Sequence, residues 1–254
     1  MVKDIVRWKT VPAKRLLERS AGARSMSEAI AHLASSFLEG IASPPTDLNA
    51  LATKFNVVSI KGEVMPISGE LRRAAQGFEI VYSTDLPPSR RRFTVAHEIA
   101  HAYFEYTDGR CRNTKELERL CDMLATEVLM PTESFRRHKP SSLSPEYIFD
   151  LSNKFGVSLR AAALRCHELL DASVFEVVNN EVTWGCGLVR QGPITGIYNE
   201  DIRTIIKHAT QGNSGERLLF LEKDGVPRRY IISFAALSKH QRRALLLIKR
   251  ATAA

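Results

Sequence analysis

The sequence predicts an α+β protein, and three observations support that class. Apolar residues recur at three- to four-residue spacing before residue 55 and again after residue 92, which indicates helices. Short β-rich runs fill 57–82, between these helical segments. A second set of strand-like runs begins at residue 173. This change of pattern predicts a domain boundary near residue 171 in a chain of 254 residues, a length that suits two ordinary domains.

The composition is that of an ordinary globular protein, with 44% hydrophobic and 25% charged residues. The net charge of +8 makes an acidic partner, nucleic acid included, a reasonable expectation. The four cysteines form no CxxC pair, which favours a reducing compartment over a disulfide scaffold. No signal-like run or apolar stretch of about 20 residues occurs, so we expect a cytoplasmic protein without membrane contact.

The first part of the chain predicts helices followed by strands. Residues 1–44 form a helical lead-in, in which apolar side chains share one face of SEAIAHLASSFLEGI. Asp47 is predicted to cap the next helix, DLNALATKF. VVSI and GFEIVY are predicted as strands, and we expect GFEIVY either to pair with an extended peptide or to lie inside a sheet.

Two helices then follow in the middle of the chain. The first is predicted from Arg92 to about Tyr106. The second opens near Asn113, with Glu116 completing a capping box, and ends before Pro131.

The segment SPEYIFDLSNKFGVSLRAAALRCHELL predicts a helix–turn–helix hairpin. If Arg160 and Arg165 point outward, its second helix could contact DNA. The alternative, which we favour, is a hairpin that supports the preceding domain. Beyond it, Asn179-Asn180 and Asp224-Gly225 predict two β-hairpins, and 238–250 is predicted as a basic amphipathic helix.

The chemistry-bearing motif is HExxH, formed by His97, Glu98 and His101. Positions i and i+4 of a helix share one face, so the two histidines can bind one metal ion. Glu98 is offset by one residue and can reach a water molecule activated by that ion. This arrangement is typical of zinc peptidases, in which the glutamate is the catalytic general base.

A catalytic zinc site needs a third protein ligand, and the second helix can supply it. Glu118, Cys121 and Asp122 compete for this role, and spacing alone leaves the choice open. A thiolate suits a structural site, whereas a carboxylate suits a peptidase. Asp122, one turn after Glu118, can instead accept a hydrogen bond from a zinc-binding histidine. For Cys121 we favour a buried apolar position.

The run RRFTVAHEIAHAYF, followed by ELERLCDMLATEVLMP, resembles the ImmA/IrrE metallopeptidases, and the resemblance covers roughly 47–135. It implies a zincin-like metallopeptidase fold, a bound Zn²⁺ and Glu118 as the third ligand. Many members carry Ala-Asn where this chain has Cys121-Asp122. The resemblance also implies a regulatory endopeptidase that cleaves a helix–turn–helix transcriptional repressor and so induces stress-response or mobile-element genes.

The expected organisation has four parts: a helical lead-in (1–44), a zinc metallopeptidase domain (45–140), a helix–turn–helix-like hairpin (141–170) and a C-terminal sensor-like α/β domain (171–254). IrrE-like proteins carry a GAF-like domain in this last position, and the layout here is similar. The alternative function is a DNA-binding transcriptional regulator that retains a metallopeptidase fold; a third is a toxin-system or phage-derived component with the same chemistry. The oxyanion-stabilising group stays open among Tyr103, Tyr106, Arg90, Arg91, Arg92 and His138.

Overall fold

The computed structural model describes residues 8–20, 22–42, 44–108, 114–137, 143–187, 200–223 and 226–251. The chain divides into two compact units. The first comprises residues 1–138 with 154–158, and the second comprises 139–153 with 159–254. The class is α+β, as predicted.

The first unit combines helices with a three-stranded sheet. Its elements are α1 (Val11–Arg19), α2 (Met26–Leu38), α3 (Leu48–Thr53), β1 (Val57–Glu63), β2 (Gly69–Ala74), β3 (Gly77–Ser83), α4 (Pro88–Asp108), α5 (Lys115–Leu129) and α6 (Thr132–Arg137). The predicted cap at Asp47 is confirmed, because its carboxylate accepts two backbone N–H groups in the first turn of α3.

The order of strands in this sheet differs from one role that the sequence predicted for GFEIVY. β3, which contains GFEIVY, lies between β1, to which it is parallel, and β2, to which it is antiparallel. Its Phe78, Ile80 and Val81 are buried. The prediction that this strand could pair with a peptide is therefore wrong, since both of its edges are occupied. The two edge strands of this sheet are β1 and β2. β2, GELRRA, was not predicted from the sequence because its polar residues show no alternation with apolar ones.

The start of α5 also differs from its prediction. Its N-cap is Thr114, whose hydroxyl accepts the N–H of Leu117. The Glu116 carboxylate accepts the backbone N–H of Thr10, the N-cap of α1, at 2.7 Å. The predicted capping box at Glu116 is therefore wrong, because this carboxylate satisfies the N terminus of another helix. Asn113 lies outside the described residues.

The second unit takes in the hairpin helices and an antiparallel sheet. Its elements are α7 (Pro145–Phe155, the last two residues of which belong to the first unit), α8 (Leu159–Leu170), β4 (Ser173–Val178), β5 (Glu181–Cys186), α9 (Glu200–Thr210), β6 (Gly215–Lys223), β7 (Val226–Ser238) and β8 (Arg243–Arg250). The strand order is β5-β4-β8-β7-β6. One face of this sheet forms a core with α9, built on Phe175, Val177, Ile206, Ile232 and Leu246.

The predicted helix at 238–250 is wrong, because most of this segment is strand β8. β8 pairs with β4 on one side and β7 on the other, and its five apolar residues from 244 to 248 are all buried. A run buried on both faces does not alternate, and Ala and Leu favour helices locally. The pairing partners override that preference. The Asn179-Asn180 hairpin is confirmed, with φ of 52° and 69°; the turn at 224–225 lies outside the described residues.

The two arginines considered for DNA contact are engaged within the second unit. The Arg165 side chain is buried and its Nη1 lies 2.8 Å from Glu168, so the prediction that it points outward is wrong. Arg160 donates from Nε to Glu176 at 2.9 Å and stacks over Trp184. Neither arginine therefore supports DNA contact through the hairpin. DNA contact by this protein stays a prediction.

Glu176 is a buried carboxylate that both Arg160 and Arg243 hold. Burial opposes its charge, but the hydrogen bonds from the two arginines lower its pKa. We expect Glu176→Gln to reduce the unfolding free energy at neutral pH by about 1–3 kcal/mol.

The stabilisation from Glu176 is complete above the unfolded-state pKa and is lost as the pH falls through the lowered folded-state pKa. The difference between wild type and Glu176→Gln in urea denaturation should therefore narrow in acid. Glu181→Gln, at an exposed position on β5, is the matched control and should have little effect. Equal effects of the two substitutions would contradict the prediction.

Candidate metal centre

Two helices bring together the residues that the sequence singled out. His97 and His101 lie one turn apart on α4, with their Nε2 atoms 3.1 Å from each other. On α5, Glu118 places Oε2 at 3.2 Å from His97 Nε2 and Oε1 at 3.3 Å from His101 Nε2. One ligand atom from each of these residues lies within 4.8 Å of the others.

These separations fit a single zinc ion. Ligand atoms about 2.0–2.1 Å from a tetrahedral centre lie about 3.3 Å from one another, which matches the observed distances. Two imidazole nitrogens and one carboxylate oxygen are also a donor set typical of catalytic zinc, with the fourth position left for water or substrate. Cys121 lies in the core with its side chain fully buried, as favoured from the sequence, and is not part of this group.

Asp122 supports the group from α5. Its Oδ1 lies 2.9 Å from His97 Nδ1, the nitrogen that faces away from Glu118. Burial lowers the pKa of His97, but the Asp122 hydrogen bond and the nearby carboxylates outweigh it, so the pKa is raised. A carboxylate in this position sets the tautomer and the orientation of a metal-binding imidazole.

Glu98 lies beside the histidines and is buried. Burial raises its pKa to about 7, the negative charges of Glu118 and Glu70 act in the same direction, and the positive charge of His97 opposes them. The backbone N–H of Leu71 donates to this carboxylate. The carboxyl group is thus poised to exchange protons near neutral pH and touches the edge strand β2.

A cleft of about 570 Å³ surrounds the group, between β2 on one side and α4 with α5 on the other. Sequence reasoning considered Arg90 for the oxyanion but missed other residues that line the cleft. Phe93 and Thr94 precede His97 on the same face of α4, at spacings of four and three, and helical periodicity could have identified them. The contributions of β2 could not be identified, because that strand was not predicted. These contributions are Gly69, Glu70 and Leu71.

The structure places most of the six polar groups that were considered for stabilising the oxyanion outside the cleft. Arg91 donates to the Thr84 and Leu86 carbonyls, and Arg92 donates to the Thr46 carbonyl. Tyr103 is buried in an aromatic cluster with Phe37 and Phe55, and Tyr106 is exposed outside the cleft. His138 lies outside the described residues. Of the six, only Arg90 lines the cleft within the described parts of the chain.

Close approach of β2 to α4 depends on Gly69. A Cβ at this position would lie 2.3 Å from Thr94 Cγ2 and 3.0 Å from the Val81 carbonyl oxygen. Thr94 is buried and its methyl group has little room to move. We therefore expect Gly69→Ala to reduce the unfolding free energy by about 1–3 kcal/mol.

A double-mutant cycle in urea tests this contact. Thr94→Ser removes the Cγ2 methyl, so Gly69→Ala should cost much less in the Thr94→Ser background. If Gly69→Ala reduced the unfolding free energy equally in both backgrounds, its effect would not come from contact with the Thr94 methyl group.

Comparison with known proteins agrees with the fold. The model of the IrrE N-terminal-like domain, a peptidase family, matches residues 52–167. A solved structure described as a Mycobacterium tuberculosis transcriptional regulator superposes with a TM-score of 0.54 at 12% identity, covering 94% of this chain and 80% of that one. At that identity the likeness concerns the fold alone. No curated protein shows a significant sequence match to the chain. Across the described residues, no helix has the length and apolarity needed to cross a membrane.

Proposed function

Because residues 52–167 belong to the ImmA/IrrE family as an IrrE N-terminal-like domain, we propose that this protein is a zinc-dependent regulatory endopeptidase that cleaves a helix–turn–helix transcriptional repressor. The observation that carries the proposal is the convergence of His97, His101 and Glu118, with Glu98 beside them in an open cleft. The named relative is a transcriptional regulator, which agrees with a regulatory role.

In this proposal His97, His101 and Glu118 hold the zinc ion, and Asp122 orients His97. Bound zinc would supply a Lewis acid that polarises the scissile carbonyl and acidifies water. Glu98 accepts a proton from the attacking water and delivers it to the leaving amine, a task suited to a carboxyl group with a pKa of about 7.

The edge strand β2 suits an extended substrate. It borders the cleft, and its Leu71 N–H contacts the carboxylate of Glu98. A peptide added alongside β2 would therefore place its backbone next to the general base, with main-chain hydrogen bonds supplying affinity. This assigns to β2 the role that the sequence had suggested for GFEIVY.

Two further elements belong to the proposal. We assign the protein to the cytoplasm, because four cysteines without a CxxC pair favour a reducing compartment over a disulfide scaffold. We also assign a sensing role to residues 171–254, on the similarity of their layout to the GAF-like domain of IrrE-like proteins. The five-stranded antiparallel sheet with α9 against one face is compatible with that layout.

Co-expression with a helix–turn–helix repressor from a neighbouring gene tests the substrate. We expect the repressor to be cut by the wild type and to stay intact with Glu98→Gln. Purified, zinc-loaded protein should reproduce the cut. Cleavage that is equal with both proteins would reject Glu98 as the general base, and an intact repressor in the presence of the zinc-loaded wild type would reject that repressor as the substrate.

A further inference from the structure

Most of the charged side chains that line the cleft are carboxylates. Glu105 is paired with Arg73 at 2.6 Å, and Glu70 is paired with Arg72 at 2.6 Å. The carboxylates of α5 face the histidines. Within the described parts of the chain, the Arg90 guanidinium lines the cleft without a carboxylate partner. Among the described lining residues Arg90 is the only arginine or lysine, so it is the group that can attract a carboxylate of a ligand.

Phe93 positions this guanidinium relative to the metal centre. The Arg90 Cζ lies 5.7 Å from the centroid of the Phe93 ring, and that centroid lies 6.2 Å from the centroid of the His97 ring. The guanidinium carbon is therefore at most about 12 Å from the centroid of the His97 ring. An extended peptide advances roughly 3.3 Å per residue, so Arg90 is about two to four residues from a peptide bond at the metal centre.

The chemistry of the pair suits a carboxylate. A guanidinium presents parallel N–H groups that match the two oxygens of a carboxylate, and an aromatic ring over its flat face leaves those N–H groups at the edge. Arg90 is exposed and forms no ion pair with any residue that the structure describes, so its charge is available to a ligand. Any basic residue bound at the same place would meet like charge.

From these observations we infer that Arg90 and Phe93 form a subsite for a carboxylate of the peptide substrate, two to four residues from the scissile bond. The inference rests on the proposed peptidase function and names a feature of its substrate. The carboxylate can belong to an acidic side chain or to a peptide C terminus, and the test below separates these sources.

Peptide selection tests the subsite without turnover. Zinc-loaded Glu98→Gln protein is the parent and is used to select peptides from a random library with amidated C termini. The selection is repeated with two double variants, in which the parent also carries Arg90→Gln or Arg90→Glu. We expect the parent to enrich Asp or Glu at one position, Arg90→Gln to lose that preference, and Arg90→Glu to enrich Lys or Arg there, with a change of at least about tenfold. Arg137→Glu, exposed on α6 outside the cleft, is the matched control and should select as the parent does.

A second library with free C termini identifies the source. Enrichment that depends on Arg90 only in this library assigns the carboxylate to the peptide terminus. An identical charge preference with and without Arg90, or no preference at any position in either library, overturns the inference. Failure of the proposed function would give a different result. If peptides selected through Arg90 are acidic but zinc-loaded wild type does not cleave them, the subsite is retained and the peptidase function is rejected.

Discussion

Glu98→Gln is expected to lower kcat for peptide cleavage by about 10²–10⁴-fold, because an amide cannot accept the proton of the attacking water. The protein should remain folded and retain zinc. The Glu98 carboxyl group is buried, and burial raises its pKa to about 7, so a neutral amide of the same shape introduces no charge into this buried position. The substitution therefore removes the base while perturbing its surroundings little.

The measurement is single-turnover cleavage alongside zinc content. Glu133→Gln, the same substitution at a residue on α6 outside the cleft, should cleave at the wild-type rate. Full activity of Glu98→Gln would remove this residue from the chemistry. A loss of zinc together with activity would instead make its role structural.

Replacing Glu118 is expected to remove zinc almost completely, as should His97→Ala, because three ligands are the minimum that holds a catalytic ion. Asp122→Asn should weaken zinc binding by only about 10–100-fold, because Asp122 acts through His97. The size of the loss in zinc affinity therefore distinguishes a ligand from a supporting residue. Chelator competition with purified Glu118→Ala, His97→Ala and Asp122→Asn measures this affinity.

Cys121→Ala is the informative control for this series. The thiol is fully buried in α5, between the two carboxylates in sequence, and is absent from the metal-binding group. Zinc affinity should therefore stay at the wild-type level. If Cys121→Ala lost as much zinc as Glu118→Ala, the thiolate would be a ligand and the proposed donor set would be wrong.

Local periodicity accounts for the parts of the site that could be predicted. His97 and His101 must share a face on any helix, and Glu98 must be offset from them, whatever surrounds the helix. The apolar stripe of α5 likewise predicts that Cys121 is buried, and the structure confirms it. By contrast, the choice between Glu118 and Asp122 depends on how α5 is rotated and shifted along α4, which is a property of helix packing.

The errors have the same physical origin. β8 has the local composition of a helix, but it is a strand because β4 and β7 supply hydrogen-bonding partners on both sides. β2 shows no periodicity of its own and exists through pairing with β3. For both strands a long-range contact outweighed a local preference. Arg165 is a charged residue that is nevertheless buried, with Glu168 on the same helix as its ion-pair partner.

Local sequence patterns were enough to predict an HExxH helix, a second helix with carboxylates at a suitable distance, and strand-rich segments on either side. The spatial arrangement of these residues depends on tertiary contacts. Only helix packing brings Glu118 within 3.3 Å of both histidines and Asp122 behind His97. Only the pairing of β2 with β3 makes an edge that contacts Glu98. The reason is that covalent geometry sets contacts within one helix, whereas contacts between elements depend on the packing of the whole unit.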